Sequence, residues 1–282
     1  MKKLKKIIFI AGFLNFFWYL HKKFFRNKKK ENLIKEFFLG KEKNLPKVPW
    51  NVLDAIKMII LTGVVLFALS WGSFEVCKIL FGEMRTAFWI LDNLKLLIIV
   101  GMLMQIFVEI IFLYIFTHRK YGNNWSDFGF KETSIWSTLK LGILLFSLVA
   151  IGQNIFVLGM ETIGIRKIAD QQILEFLISE KQIPIWFLFV FAGILAPLTE
   201  ELIFRGFLLG ALLPKIGYPF GVTVAALIFS AAHLNLDSFL LLFLLGALLS
   251  VLYIRTKSLW PGIIFHSINN TIALALLASK TF

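Results

Sequence analysis

The stretch Leu198-Thr199-Glu200-Glu201-Leu202-Ile203-Phe204-Arg205 places two adjacent carboxylates in the middle of a long apolar segment, residues 185–213. A segment of this length and hydropathy is typical of a helix that crosses a membrane. A carboxylate at the centre of a bilayer costs about 2.5–3.5 kcal/mol on insertion scales. Two neighbouring glutamates in such a helix therefore need a cation, a proton or a chemical role.

The rest of the chain is also strongly apolar: 58% of its 282 residues are hydrophobic, and its mean hydropathy is +0.79. Soluble domains hold about 45–50% apolar residues. We therefore expect an all-α fold, a polytopic transmembrane helix bundle with about seven or eight spans. Seven apolar segments are long enough to be spans: approximately 52–74, 94–117, 138–160, 185–213, 219–236, 238–254 and 260–278. The intervening segments 75–93 and 161–184 are expected to be the two long outer loops.

The N-terminal region is basic, with 14 of the chain's 30 Lys and Arg residues in its first 47 positions. Basic segments beside apolar spans are held on the cytoplasmic side and contact anionic lipid. We therefore expect the connector 21–49 to be cytoplasmic, and the net charge of +13 to indicate a lipid bilayer and not a nucleic acid as partner. The apolar run 7–20 is short for a span, so an interfacial helix or shallow anchor is expected, with an eighth span as the alternative.

The single cysteine, Cys77, excludes a disulfide within the chain. The Lys- and Ile-rich composition, without recognisable sorting signals, favours an integral protein of a prokaryotic plasma membrane.

Glu201 and Arg205 lie one turn apart, with the acid N-terminal to the base, so we expect an ion pair between them. Glu200 points about 100° away, along the face of Phe204. It lacks a local cation on its own helix and is the candidate general base. Pro197 cannot donate a helix hydrogen bond and is expected to kink this span.

Small residues follow directly after the glutamates, at Gly206 and Gly210. This small-xxx-small pattern predicts the close approach of a neighbouring helix.

Two further polar patterns occur in later spans, Phe229-x-x-x-His233 and His266-x-x-x-Asn270. His266 and Asn270 share one helix face and offer hydrogen-bond donors to a common point, as an oxyanion hole requires. Hydrogen bonding between helices would also explain both histidines, and a boundary position would explain His233. After His233, Asn235 and Asp237 are expected to cap the turn into the next span.

Glu109, with Gln105 one turn earlier, is the other acidic group within an apolar span. A satisfied structural pair is the simpler interpretation, and a role in a functional site is the alternative.

The ordered trio Glu200-Glu201-x-x-x-Arg205, Phe229-x-x-x-His233 and His266-x-x-x-Asn270 resembles the motifs of the CPBP intramembrane proteases. That family contains the CAAX prenyl endopeptidases and the bacterial Abi and bacteriocin-immunity proteins. The resemblance covers about residues 184–278. It divides the chain into a basic N-terminal region with a short apolar helix (1–49), accessory transmembrane helices (50–183) and a catalytic transmembrane core (184–280).

The resemblance implies a glutamate-dependent endopeptidase that needs no cofactor and cuts a membrane-associated or prenylated peptide. Glu200 would activate water with help from His233. His266 and Asn270 would stabilise the oxyanion. The remaining motif residues, Glu201, Arg205 and Phe229, would support them.

Three alternatives stay open at this point. A zinc-dependent membrane protease would use the same Glu and His residues, although the chain has no HExxH motif. A proton-coupled transporter would also carry intramembrane carboxylates and histidines. A non-catalytic bacteriocin-immunity or peptide-binding protein would bind a peptide without cutting it.

Overall fold

The computed structural model describes residues 48–162, 183–235 and 238–281, and these residues form helices without any strand. The α-helices are α1 Val52–Phe81, α2 Glu83–Asp92, α3 Leu94–Tyr114, α4 Ile135–Thr162, α5 Ile185–Val190, α6 Ala196–Glu201, α7 Gly210–Ala232, α8 Phe239–Thr256 and α9 Leu259–Thr281. Three π-helices cover Ile115–Arg119, Phe191–Leu195 and Leu202–Leu209, and a 3₁₀-helix covers Trp125–Phe128.

The all-α membrane fold expected from the composition is confirmed. Within the described residues, five helical runs are long and apolar enough to cross a membrane: Val52–Phe81, Leu94–Arg119, Ile185–Ala232, Phe239–Thr256 and Leu259–Ser279. The run Ile185–Ala232 contains the span expected over 185–213 and most of the one expected over 219–236. Its backbone breaks at Gly217, whose φ of 72° is readily adopted only by glycine. The span expected over 138–160 lies in α4, where the apolar stretch is the shorter Gly142–Gly152.

The prediction of an outer loop over 75–93 is wrong, because nearly all of these residues are helical. α1 continues to Phe81, and α2 begins one residue later at Glu83. Gly82 separates the two helices with a φ of 79°, and Asn93 follows the last residue of α2. The apolar run 7–20, the connector up to residue 47 and most of the second expected loop, 163–182, lie outside the described residues.

The chain divides into two compact units. The first, which we call the glutamate unit, comprises the described residues 48–132, 183–215 and 258–281. The second, which we call the His233 unit, comprises the described residues 133–162, 216–235 and 238–257.

In the glutamate unit, the start of α1 is bonded to the two residues that directly follow the π-helix Ile115–Arg119. Asn51 and Asp54 form a capping box, in which each side chain accepts from the other's backbone N–H. The buried Asp54 carboxylate also accepts hydrogen bonds from Lys120 Nζ and Tyr121 Oη, each at 2.5 Å. The hydrogen bond to Asp54 raises the pKa of the Lys120 ammonium.

Trp50 connects the residues before α1 to the π-helix Leu202–Leu209. Its indole Nε1–H donates to the Phe207 carbonyl at 2.9 Å, and its ring stacks on Phe128 with 4.8 Å between centroids. A Cβ added at Gly206 would lie 3.0 Å from the Phe128 ring, and one at Gly210 would lie 3.1 Å from Val48. The close approach expected at the two glycines is therefore present: the 3₁₀-helix approaches Gly206, and the segment before α1 approaches Gly210.

In the His233 unit, α4 packs on α8. α7 approaches α8 at Gly246, which lies against Ala226 and Phe229. A Cβ added at Gly246 would lie 3.0 Å from the Phe229 ring. Ser230 Oγ donates to the Phe239 carbonyl. The expected capping by Asn235 is confirmed, because its Oδ1 accepts from the Ser238 N–H at 3.0 Å. Asp237 lies outside the described residues.

Replacing Trp50 by Phe keeps most of the ring contact with Phe128 and removes the hydrogen bond to Phe207. We expect a destabilisation of about 0.5–1.5 kcal/mol, the usual net value of one hydrogen bond. It is measured as a lower midpoint of thermal unfolding in detergent. Trp71→Phe is the control, because Trp71 lies on α1 with 57% of its surface exposed. An equal shift in both variants would contradict a role for the indole hydrogen bond.

Candidate active site

The two adjacent glutamates end a short α-helix that lies between two π-helices. α6 contains only the six residues Ala196–Glu201. The π-helix Phe191–Leu195 precedes it and the π-helix Leu202–Leu209 follows it. Pro197 has no N–H for the carbonyl four residues earlier, which belongs to Gly193 of the first π-helix, and the kink expected at Pro197 stays a prediction. Widened turns of this kind occur frequently at functional sites.

Glu201 holds its carboxylate between a guanidinium and an imidazole. Its side chain is fully buried, and Oε1 lies 2.7 Å from Arg205 Nη1. The same oxygen lies 3.2 Å from His266 Nδ1. The ion pair expected from the spacing of Glu201 and Arg205 is therefore present, and both partners are excluded from solvent.

His266 lies between the two glutamates, which the sequence analysis did not foresee. Its Nδ1 faces Glu201, and its Nε2 lies 3.7 Å from Glu200 Oε2. Donation of Nδ1–H to Glu201 fixes the ring orientation and leaves Nε2 directed toward Glu200. Glu201 and His266 are 65 positions apart, so no local sequence pattern predicts their contact.

Glu200 differs from Glu201 in exposure and in its neighbours. Its side chain is 23% exposed, whereas that of Glu201 is fully buried. The positive charge of Arg205 acts on both carboxylates. The expectation that Glu200 lacks a local cation is therefore wrong, because that expectation considered only the face of an ideal α-helix.

A close backbone approach lets α9 contact Glu201. A Cβ added at Gly262 would lie 2.7 Å from Glu201 Oε2, closer than such atoms approach each other. Only glycine leaves room for the carboxylate at this point of α9. The sequence analysis did not single out Gly262, and only the three-dimensional approach of the two helices identifies it.

Asn270 lies one turn after His266 on α9, as the spacing predicted, and contacts the first π-helix. Its Nδ2 donates to the Ala192 carbonyl at 3.0 Å. A Cβ added at Gly193 would lie 2.9 Å from Thr271 Oγ1, so α9 is packed closely against this turn. Asn270 has a second N–H for another acceptor, since an amide nitrogen carries two.

His233 and Phe229 belong to the His233 unit. The His233 side chain is exposed, its Nδ1 lies 2.8 Å from the Phe229 carbonyl, and its ring packs edge-on against the Phe229 ring. Donation of Nδ1–H to that carbonyl makes Nε2 the basic nitrogen of the neutral ring. The convergence of His233 on Glu200 stays a prediction.

The structural pair expected at Gln105 and Glu109 is present on α3. Gln105 Nε2 donates to Glu109 Oε1 at 3.0 Å. α3 also contacts α6, the helix that ends in the two glutamates.

Both glutamates lie in a segment of the chain that matches a known protein family. Residues 182–272 match the family model for the Rce1-like type II CAAX prenyl endopeptidases. The resemblance to CAAX endopeptidases is confirmed. The endopeptidase-like segment, residues 182–272, contains both glutamates, Arg205, both motif histidines and Asn270, whereas Glu109 and Trp50 lie outside it.

Two curated bacterial relatives are similar to this chain. One is YdiL of Bacillus subtilis (strain 168), whose name describes a membrane peptidase, with 30% identity over 143 residues. The other is the membrane-embedded CAAX protease MroQ of Staphylococcus aureus (strain USA300), with 31% identity over 134 residues. The alignment with YdiL covers 50% of this chain and 55% of YdiL, and the alignment with MroQ covers 45% of this chain and 53% of MroQ. The chain therefore spans about half the length of these two relatives. No solved structure matches the chain.

Replacing Gly262 by Ala inserts a methyl group against Glu201 Oε2. We expect a destabilisation of about 1–3 kcal/mol, as for other overpacked sites, measured as a lower unfolding midpoint in detergent. Gly63→Ala is the matched control, because no atom lies within 4 Å of a Cβ added at that membrane-helix glycine. Equal midpoints for the two variants would show that the close approach to Glu201 is not required.

Proposed function

We propose that this protein is an intramembrane endopeptidase that hydrolyses a peptide bond of a membrane-associated or prenylated peptide. One observation carries the proposal: within the endopeptidase-like segment, an imidazole lies between a buried and a partly exposed glutamate. A fully buried carboxylate that orients an imidazole, as Glu201 does for His266, is a recurring arrangement in hydrolytic sites. The resemblance of the segment to CAAX endopeptidases is the second support.

In the proposed reaction, Glu200 acts as the general base. A water molecule attacks the peptide carbonyl and gives its proton to the Glu200 carboxylate, with His233 assisting. Glu200 suits this role because its side chain is partly exposed, so a water molecule and a substrate can reach it.

His266 and Asn270 stabilise the oxyanion in this proposal. A protonated His266 donates Nδ1–H to Glu201 and directs Nε2–H toward the developing charge. Asn270 uses one amide N–H for the Ala192 carbonyl and has the other for the oxyanion. The bond to Ala192 orients the amide, while Phe229 accepts from His233 through its backbone carbonyl.

The proposed reaction needs no metal ion. The guanidinium of Arg205 lies 2.7 Å from Glu201, so a divalent cation at that carboxylate would meet a positive charge already in place. A zinc ion held by the same glutamates and histidines is the alternative, and it would activate the water as a Lewis acid.

The test is peptide cleavage by the purified protein in detergent, using farnesylated and unmodified peptides and mass spectrometry. Glu200→Gln should lower cleavage by about 10²–10⁴-fold, the usual contribution of a general base. A chelator should leave wild-type cleavage unchanged. Glu75→Gln is the matched control, because Glu75 pairs with Lys78 on α1 and its loss changes the net charge equally.

Each contrary result would indicate a different function. Cleavage that persists in Glu200→Gln removes the proposed base. Loss of cleavage with chelator, restored by zinc, assigns a metal-dependent protease. Binding of peptides without cleavage by the wild type identifies a peptide-binding or immunity protein.

A further inference from the structure

The backbone changes its hydrogen-bond register between the first π-helix, Phe191–Leu195, and α6. The N–H of Ala196 donates to the carbonyl of Phe191, five residues earlier, which is the π-helical pattern. In a regular α-helix the same N–H would donate to Ala192, four residues earlier. The next residue, Pro197, has no N–H at all. The residues four and five positions after Ala192 therefore give its carbonyl neither of the donors that a helix normally supplies.

A side chain of α9 donates to this carbonyl instead. Asn270 Nδ2 lies 3.0 Å from the Ala192 carbonyl oxygen and donates to it. Asn270 Oδ1 accepts from Asn269 Nδ2 at 3.4 Å, so both neighbours favour the orientation with the amide nitrogen toward Ala192. α9 also packs closely here, since a Cβ added at Gly193 would lie 2.9 Å from Thr271 Oγ1. The Asn270 amide is thus oriented by a carbonyl that the register change makes available.

Pro197 acts on the choice between two registers for this turn. In a continuous α-helix its ring would clash with the carbonyl of Gly193, four residues earlier. Prolines and π-helical turns are both known places at which a helix departs from the regular α-helical ladder. The α-helical register would also return the Ala196 N–H to the Ala192 carbonyl, where it would compete with Asn270. A residue with an N–H at position 197 would remove the obstacle to that register.

We propose that Pro197 is a positioning residue for the hydrolysis: it excludes the α-helical register and so keeps the Ala192 carbonyl available to hold the Asn270 amide. This inference rests on the proposed function, in which the second N–H of Asn270 stabilises the oxyanion. If Ala196 occupied the carbonyl, the amide would lose its anchor and the oxyanion would lose a donor that is placed in advance. Pro197 is buried, and in this role it acts through Asn270.

A purely structural role for Pro197 makes different predictions for stability and for activity. A proline inside a helix usually costs stability, because its ring removes a hydrogen bond and crowds the preceding turn. If Pro197 is kept for positioning, its replacement by alanine should leave the unfolding midpoint unchanged or raise it while activity falls. A proline needed only for packing would lower the midpoint when replaced and leave the kcat of the folded protein unchanged.

The first measurement needs no activity: it is a double-mutant cycle on the thermal unfolding midpoint in detergent. Asn270→Ala in the otherwise unchanged protein leaves the Ala192 carbonyl without its donor, so we expect a lower midpoint. In the Pro197→Ala background the Ala196 N–H can take over as donor, so the same Asn270→Ala change should lower the midpoint less. Equal decreases in the two backgrounds overturn the inference.

The second measurement is cleavage of the peptide, farnesylated or unmodified, that the wild type cuts. Pro197→Ala should lower kcat by about 10-fold or more and leave KM unchanged, because a misplacement of about 1 Å in a catalytic group can cost about 10²-fold. Pro214→Ala is the matched control, because Pro214 is an exposed proline within α7 and the change removes the same ring. We expect Pro214→Ala to keep the wild-type kcat.

The outcomes separate this inference from the proposed function. An unchanged kcat in Pro197→Ala, an equal loss of kcat in Pro214→Ala, or a clearly lower unfolding midpoint of Pro197→Ala overturns the role of Pro197 and leaves the endopeptidase intact. A wild type that cleaves neither peptide, or a Glu200→Gln variant that still cleaves, rejects the proposed function and the positioning role of Pro197 with it.

Discussion

The buried carboxylate of Glu201 is the interaction on which the rest of the site depends. A charge excluded from solvent persists only when partners compensate it, and Glu201 Oε1 has Arg205 at 2.7 Å and His266 at 3.2 Å. Removing one partner of such a buried group costs about 3–5 kcal/mol, because the remaining charge is left uncompensated. This penalty fixes α9 against α6 and so determines where His266 and Asn270 lie.

Two identical side chains at adjacent positions acquire different chemistry from this one constraint. Successive residues on a helix point about 100° apart, so Glu200 cannot share the buried position of Glu201. Glu201 is fully buried, whereas Glu200 retains some exposure and lies 3.7 Å from the far nitrogen of the same imidazole. The imidazole thus lies between a fully buried carboxylate and a partly exposed one.

The parts of the site that sequence reasoning foresaw are the local ones. Pairs separated by four positions, such as Glu201 with Arg205 and Gln105 with Glu109, follow from helix geometry alone. Contacts such as Trp50 with Phe207, 157 positions apart, depend on how helices pack, and no periodicity encodes them. The same limit explains why the sequence predicts a close approach at Gly206 and Gly210 without naming the segments that approach. A small-xxx-small pattern indicates close approach and does not identify the element that approaches.

The two π-helices beside α6 explain why so short a helix holds its position. Each widened turn changes the direction of backbone carbonyls, and each contributes one carbonyl to a side chain from another element. Ala192 in the first turn accepts from Asn270 of α9, and Phe207 in the second accepts from the indole of Trp50. The six residues that end in the glutamates are thereby held at both ends, by α9 on one side and by the segment before α1 on the other. This arrangement places the two glutamates on a segment whose flanking turns are irregular and whose position is nevertheless determined by side-chain hydrogen bonds.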